Sequence, residues 1–147
     1  GTQGMGVILA ENKSNAESIL EAFYATKEKV ILQKFIKEAK GADIRAFVVD
    51  GEIVGAMKRQ ARPGDFRSNL HRGGTSELIK LTSQEEETAL KSVEILGLKI
   101  AGVDMLKTHI GPVVLEVNAS PGLEGIEGTT GVDIAGKIIQ FVEKNRK

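Results

Sequence analysis

Apolar and polar positions along this chain follow two periods, and the switches between them mark its elements. Residues 7–11 ("VILAE") form a short apolar run that predicts a strand. Ser14 and Glu17 then stand at capping-box spacing, and Ile19, Leu20 and Phe23 fall on one helical face, which predicts a helix to about Tyr24. Residues 30–36 ("VILQKFI") predict a second strand, running into the charged bend "KEAKGAD". Residues 43–61 read as a hairpin, because Asp50-Gly51 is a type I′ turn signal between two β-rich runs. Ser83 and Glu86 form a second capping box ahead of Ala89, Leu90, Val93 and Leu96 at helical spacing, and Gly97 fits the position just past that helix. "KIAGVDMLKTHIGPVVLEVNASPG" reads as a second hairpin, and residues 132–146 as a closing helix with Ile134, Ile138 and Phe141 on one face. Antiparallel hairpins with helices packed against them predict an α+β fold.

Between the first hairpin and the second helix, residues 62–77 ("RPGDFRSNLHRGGTSE") lack either period. Pro-Gly, Gly-Gly and three arginines with little apolar surface predict a long loop, and a loop of that length in a compact domain is usually functional or mobile. "NASPGLEGIEGTTG", after the second hairpin, reads as a further glycine-rich polar loop.

Composition narrows the function classes. The 147 residues suffice for one domain with its own core, and 41% hydrophobic with 27% charged residues is ordinary globular usage. Twenty basic side chains balance twenty acidic ones, which argues against bulk attraction to nucleic acid or an anionic membrane. No cysteine is present, so disulfides and thiolate metal sites are excluded. There is no tryptophan and aromatics are few, which speaks against base-stacking platforms. No apolar run approaches the roughly 18–20 residues of a membrane span. The 17 glycines, many at turns, fit loops that lie close to a ligand or simply tight turns.

The second hairpin carries the first candidate chemistry. A symmetric turn centred on Ile110 would set Asp104 opposite Glu116, and Asn118 would point to the same face. Facing carboxylates repel unless a cation lies between them, and oxygen-only ligands suit Mg²⁺ or Mn²⁺. A register shifted by one residue would instead leave two solvated strand residues. On the first hairpin, a two-residue turn would pair Asp43 with Lys58 and put Arg45 on their face. That is either a cross-strand ion pair of a few tenths of a kcal/mol or a polar wall for a charged ligand. Lys58, Arg59, Arg62 and Arg67 lie within ten residues, and beside a hard-cation site they point to a polyphosphate. His71 and His109 stand alone on turns and read as surface residues or as supports behind the site, not as ligands or bases.

"GTQGMGV", "QKFI", "GADIRAFVVDGEIVGAMKRQA", "DFRSNLHRGG", "AGVDML" and "LEVNASPG", in this order, resemble the ATP-grasp ligases, most closely the RimK type, the ribosomal protein glutamate ligases. The resemblance implies an ATP-dependent carboxylate–amine ligase. ATP phosphorylates a carboxylate, an amine attacks the acyl phosphate, and phosphate leaves. It implies Asp104, Glu116 and Asn118 as ligands of Mg²⁺ or Mn²⁺, with two ions. It implies Lys34 and Phe35 as the hinge whose backbone meets the adenine, and Asp43 as a nucleotide contact on the ribose side. Arg67, Ser68 and Asn69 would reach the phosphates, with Arg67 stabilising transition-state charge. Gly4 and Gly6 would belong to a mobile loop over the triphosphate. Residues 1–36 would be what remains of the small glycine-loop domain and adenine hinge, and residues 37–147 the C-terminal domain with the nucleotide and metal site. The small domain's other strands and at least one nucleotide lysine do not precede Gly1, so the chain is expected to be a fragment with little activity alone. The partners implied are ATP, glutamate and the C-terminus of a small-subunit ribosomal protein, in the cytoplasm, with no nucleic acid or membrane contact; homo-oligomerisation stays open. Two other readings remain: a ligase for a different acceptor, either a cofactor tail or an amino-acid carrier of lysine biosynthesis, and a nucleotide-binding module that has lost catalysis.

Overall fold

A computed structural model describes residues 5–146. The chain forms two compact units, residues 1–36 and 37–147. In the first, helix α1 (Lys13–Ala25) is capped by Asn12, whose side chain accepts a hydrogen bond from the Asn15 N–H at 2.9 Å. The helix therefore starts ahead of the expected Ser14 box, because Asn12 is an equally good cap and lies upstream. Residues 7–11 and 30–36 form no strand. A strand exists only through its ladder, and no described segment pairs with either; Ile31 and Leu32 stay largely exposed. Gly6 sits in a turn at φ 72°, while Gly4 lies outside the described residues.

The second unit is a five-stranded sheet in the order β3-β2-β1-β4-β5, every pairing antiparallel. The strands are β1 (Ala42–Val49), β2 (Glu52–Gln60), β3 (Thr75–Leu78), β4 (Ile100–Thr108) and β5 (Gly111–Asn118). Helices α2 (Ser83–Ile95), α3 (Glu124–Thr130) and α4 (Ile134–Lys144) complete the α+β architecture. Ile44, Ala46, Val48, Val103 and Met105 bury one sheet face together with Ala89 and Val93 of α2. Phe47, Val49 and Met57 bury part of the other face with Ile126 of α3 and Ile134 of α4.

Three local expectations change. The capping box of α2 is Thr82 with Glu85, one residue before the expected Ser83 and Glu86, since Thr82 donates its N–H to Glu85 and accepts from the Glu85 N–H in return. Residues 75–77, expected to be loop, belong to the short edge strand β3. The expected loop after β5 contains α3, whose buried Ile126 joins the Phe47 cluster.

Both hairpins carry a β-bulge, and these set the site. At the first turn Asp50 (φ 49°) and Gly51 (φ 81°) take the left-handed conformations that a type I′ turn needs. Val48 pairs with Ile53 but Phe47 with Gly55, so Val54 is the extra residue. Beyond the bulge Asp43 faces Arg59, and Lys58 turns to the opposite face, where it pairs with Glu77 at 2.8 Å. The expected Asp43–Lys58 pairing is thereby corrected by one residue. In the second hairpin Thr108 pairs with Gly111, a two-residue turn rather than a symmetric one on Ile110. A bulge at Leu115 then restores Asp104 opposite Glu116.

Candidate functional site

The sheet face that carries Phe47 and Val49 is apolar only over half its length. Towards the start of β1 it presents Asp43 and Arg45, flanked by Arg59 on β2 and by Asp104 on β4, with Glu116 and Asn118 following on β5. Residues opposite one another in register share a face. Two bulged hairpins thus bring together six polar side chains from four strands.

Four of the six form a closed ionic cluster. Arg59 grips Asp43 as a fork, Nε to Oδ1 at 2.7 Å and Nη2 to Oδ2 at 2.6 Å. The same Nη2 reaches Asp104 Oδ2 at 2.9 Å. Arg45 grips Asp104 from the other side, Nε to Oδ1 at 2.7 Å and Nη2 to Oδ2 at 2.6 Å. Such bidentate, charge-assisted pairs are the strong class of hydrogen bond. The Asp43, Arg59 and Asp104 side chains are buried, at 4%, 7% and 2% exposure. Ser68 donates its hydroxyl to Asp43 Oδ2 at 2.7 Å and so ties the 62–74 loop to the cluster. Burial by itself would raise the Asp104 pKa, but the hydrogen bond from Arg45 and the charges of Arg59 and Arg45 outweigh it and hold the carboxyl below its ordinary value. Burial likewise disfavours charge on Arg59, yet its bond to Asp43 and the two carboxylates push its pKa up.

The loop has an anchor of its own. Asp65 accepts from the Arg67 backbone N–H at 3.0 Å, from Arg67 Nε at 2.9 Å and from Nη2 at 3.1 Å, with Arg72 Nε 3.5 Å away. The hydrogen bonds from Arg67 lower the Asp65 pKa well below the usual carboxylate range. Both depressed carboxyls are ionised in the folded and unfolded chain above about pH 5, so their stabilisation is complete there. It is lost as pH falls towards the folded pKa values. The urea midpoint should therefore be level from pH 7 to about 5 and fall steeply below about 4. An equal midpoint at pH 3 and pH 6 would contradict this account of the two carboxyls.

Of the residues singled out from the sequence, the fold gathers Asp43, Ser68, Asp104, Glu116 and Asn118 on one face or against it. Arg67 is turned onto Asp65, and Asn69 caps the short helical turn Leu70–Arg72 without a side-chain capping bond. Lys34 and Phe35 lie in the irregular segment of the first unit. Arg59 and Asp65 carry the geometry and were not singled out individually. An isolated glycine inside a strand pattern signals a bulge, and Gly55 in "GEIVGAM" is that signal for the shift that brings Arg59 to Asp43.

The donor set on β4 and β5 fits a hard divalent cation. All its atoms are oxygens, Asp104 is held ionised, and Glu116 is exposed. Asn118 donates its amide to Glu116 Oε1 at 3.0 Å, which leaves its carbonyl oxygen for another partner. Among the described residues no three Asp, Glu or His side chains converge, so the set is two carboxylates and one amide. No described helix is long and apolar enough to cross a membrane.

A family model, the RimK-like ATP-grasp domain, matches residues 1–142. A protein from a Shewanella species named probable alpha-L-glutamate ligase 2 is 59% identical over 145 residues, which is 99% of this chain and 48% of that protein. A probable alpha-L-glutamate ligase of Pseudomonas paraeruginosa is likewise 59% identical over 145 residues. The chain spans about half the length of the curated relatives it matches. Among solved structures, a RimK domain ATP-grasp protein of Sphaerobacter thermophilus is 28% identical at TM-score 0.64, covering 95% of this chain and 48% of that one. A D-alanine–D-alanine ligase of Bacillus anthracis shares the fold at 23% identity and TM-score 0.69, covering 95% of this chain and 49% of that one. The ATP-grasp ligase PsnB, solved with a precursor variant, Mg and ADP, is 26% identical at TM-score 0.58, covering 73% of this chain and 33% of that one.

Proposed function

The chain belongs to the RimK-like ATP-grasp family, and on that premise we propose that its polar sheet face is the nucleotide and cation site of an ATP-dependent carboxylate–amine ligase. The reaction adds glutamate to the C-terminus of a small-subunit ribosomal protein. The carboxylate is activated as an acyl phosphate and the amine of glutamate displaces the phosphate. The observation that carries this reading is the register that sets ionised Asp104 opposite Glu116, with Asn118 on the same face.

Asp104, Glu116 and Asn118 would hold Mg²⁺ or Mn²⁺, as two ions. When bound, the metal draws negative charge off the transferring phosphoryl group. Residues 37–147 supply this site; residues 1–36 are read separately as the remnant of a glycine-loop domain, with Lys34 and Phe35 as its adenine hinge. Asp43 reaches the ribose side of the nucleotide. Ser68 and Asn69 approach the phosphates, and Arg67, released from Asp65, places its guanidinium against the charge that builds up during transfer. Asp65 fixes where that guanidinium waits.

Mass spectrometry tests the acceptor. A full-length protein carrying this sequence is incubated with ATP, Mg²⁺, isotope-labelled glutamate and a panel of acceptors. Labelled glutamate should appear at the C-terminus of the ribosomal protein. Label found only on a cofactor tail or an amino-acid carrier protein would overturn the ribosomal acceptor, and no label on any acceptor would overturn the ligase reading.

A further inference from the structure

Asp104 faces a conflict between two roles. As a cation ligand it must offer a carboxylate oxygen to the ion, yet three guanidinium N–H bonds already occupy it. The two arginines that hold it are not equivalent. Arg59 bridges two carboxylates, is 7% exposed, and is fixed by its fork on Asp43. The Arg45 side chain is 15% exposed, and Asp104 alone receives its side-chain hydrogen bonds among the described residues. Beside it stands Gly102, across the ladder from Phe47. A Cβ there would lie 2.9 Å from the Pro121 Cβ and at ordinary contact distance, 3.9 Å, from Arg45 Nε, so the glycine lets Pro121 pack close beside the Arg45 fork.

The charges decide what can displace Arg45. Asp43, Asp104 and Glu116 oppose Arg45 and Arg59, leaving one net negative charge. A dication arriving alone would turn that into a net positive charge. It would also break two bonds of 2.6–2.7 Å and leave a guanidinium beside the ion without a counter-charge. A polyphosphate arriving with the ion supplies the missing anion.

We propose that Arg45 is a counter-ion latch on the cation site. It closes Asp104 against a free divalent cation and yields only when cation and polyphosphate enter together, the anion re-pairing the guanidinium that the cation displaces. The proposal rests on the assignment of Asp104 and Glu116 as cation ligands. By linkage, the cation and the polyphosphate each raise the other's affinity by the same factor, and the latch is one source of that factor.

Two measurements test it. The first is titration with Mn²⁺ alone, followed by electron paramagnetic resonance, on the wild-type chain and on Arg45→Gln and Arg45→Lys. Arg45→Gln should bind nucleotide-free Mn²⁺ about tenfold more tightly than wild type, within the usual range of coupling factors. Arg45→Lys keeps the charge and should remain within about threefold of wild type. Equal affinity in wild type and Arg45→Gln overturns the latch. Adding Glu116→Gln to Arg45→Gln should abolish the gain, and a gain that survives it overturns the cation assignment itself.

The second measurement needs no variant to fold. The Arg45 Nε–H resonance is followed by NMR in a full-length protein carrying this sequence. It should stay in place with Mg²⁺ alone and move when Mg²⁺ and ATP are added together. Movement with Mg²⁺ alone, or none with both, overturns the latch.

Discussion

Arg59→Ala is expected to lower the unfolding free energy by about 3–5 kcal/mol, the largest stability loss of any single polar substitution in the sheet. The guanidinium is buried and is shared by Asp43 and Asp104 at 2.6–2.9 Å. Its removal strips Asp43 of its only cationic partner among the described residues and leaves Asp104 on Arg45 alone. The cost is that of a buried carboxylate without a counter-ion, which greatly exceeds the worth of an exposed pair. Urea unfolding measures it. A loss below about 1 kcal/mol would mean that the cluster behaves as a solvent-screened surface pair. Asp43→Asn should cost clearly less in the Arg59→Ala background than alone, because the two side chains form one unit.

The largest functional effect is expected at Glu116. In a full-length protein, Glu116→Gln should lower ATP-dependent turnover by about 100-fold, the loss of roughly 3 kcal/mol of charge stabilisation supplied through the cation. Stability should hardly change, since Glu116 is exposed and only Asn118 donates to it among the described side chains. Asp104→Asn is the less discriminating variant. It removes a ligand but also leaves Arg45 and Arg59 short of charge, so lost activity could follow from a weakened sheet. Wild-type turnover in Glu116→Gln, with metal dependence retained, would remove Glu116 from the cation site.

These two residues show where the sequence was legible and where it was not. Asp50-Gly51 specified its turn because only left-handed conformations close a two-residue hairpin with the right twist. Counting outward from that turn failed at Val54, since a bulge adds a residue without changing the alternation on either side of it. Asp104 did come to lie opposite Glu116, but through a tighter turn and a bulge at Leu115 that offset each other. Strand β3 escaped notice because a four-residue polar edge strand has no apolar alternation; its pairing with β2 makes it a strand. Helix α3 contains Gly125 and Gly128, which argue against a helix by propensity. Packing overrides them: Ile126 is fully buried with Phe47 and Met57, and a Cβ at Gly125 would lie 2.8 Å from Leu70 Cδ1. The ionic cluster is tertiary. Asp104 lies 45 residues beyond Arg59, and Gly55, the bulge signal on the same strand, is the one local hint that Arg59 of "KRQAR" turns inward.

Product stoichiometry tests the central claim most directly, with the full-length protein given Mg²⁺, ATP, labelled glutamate and an accepted acceptor. ADP and phosphate should each appear once per glutamate incorporated, and both should fall together by about 100-fold in Glu116→Gln. Release of AMP and pyrophosphate, or glutamate transfer that continues unchanged in Glu116→Gln, would contradict the assignment of this sheet face as the phosphoryl-transfer site.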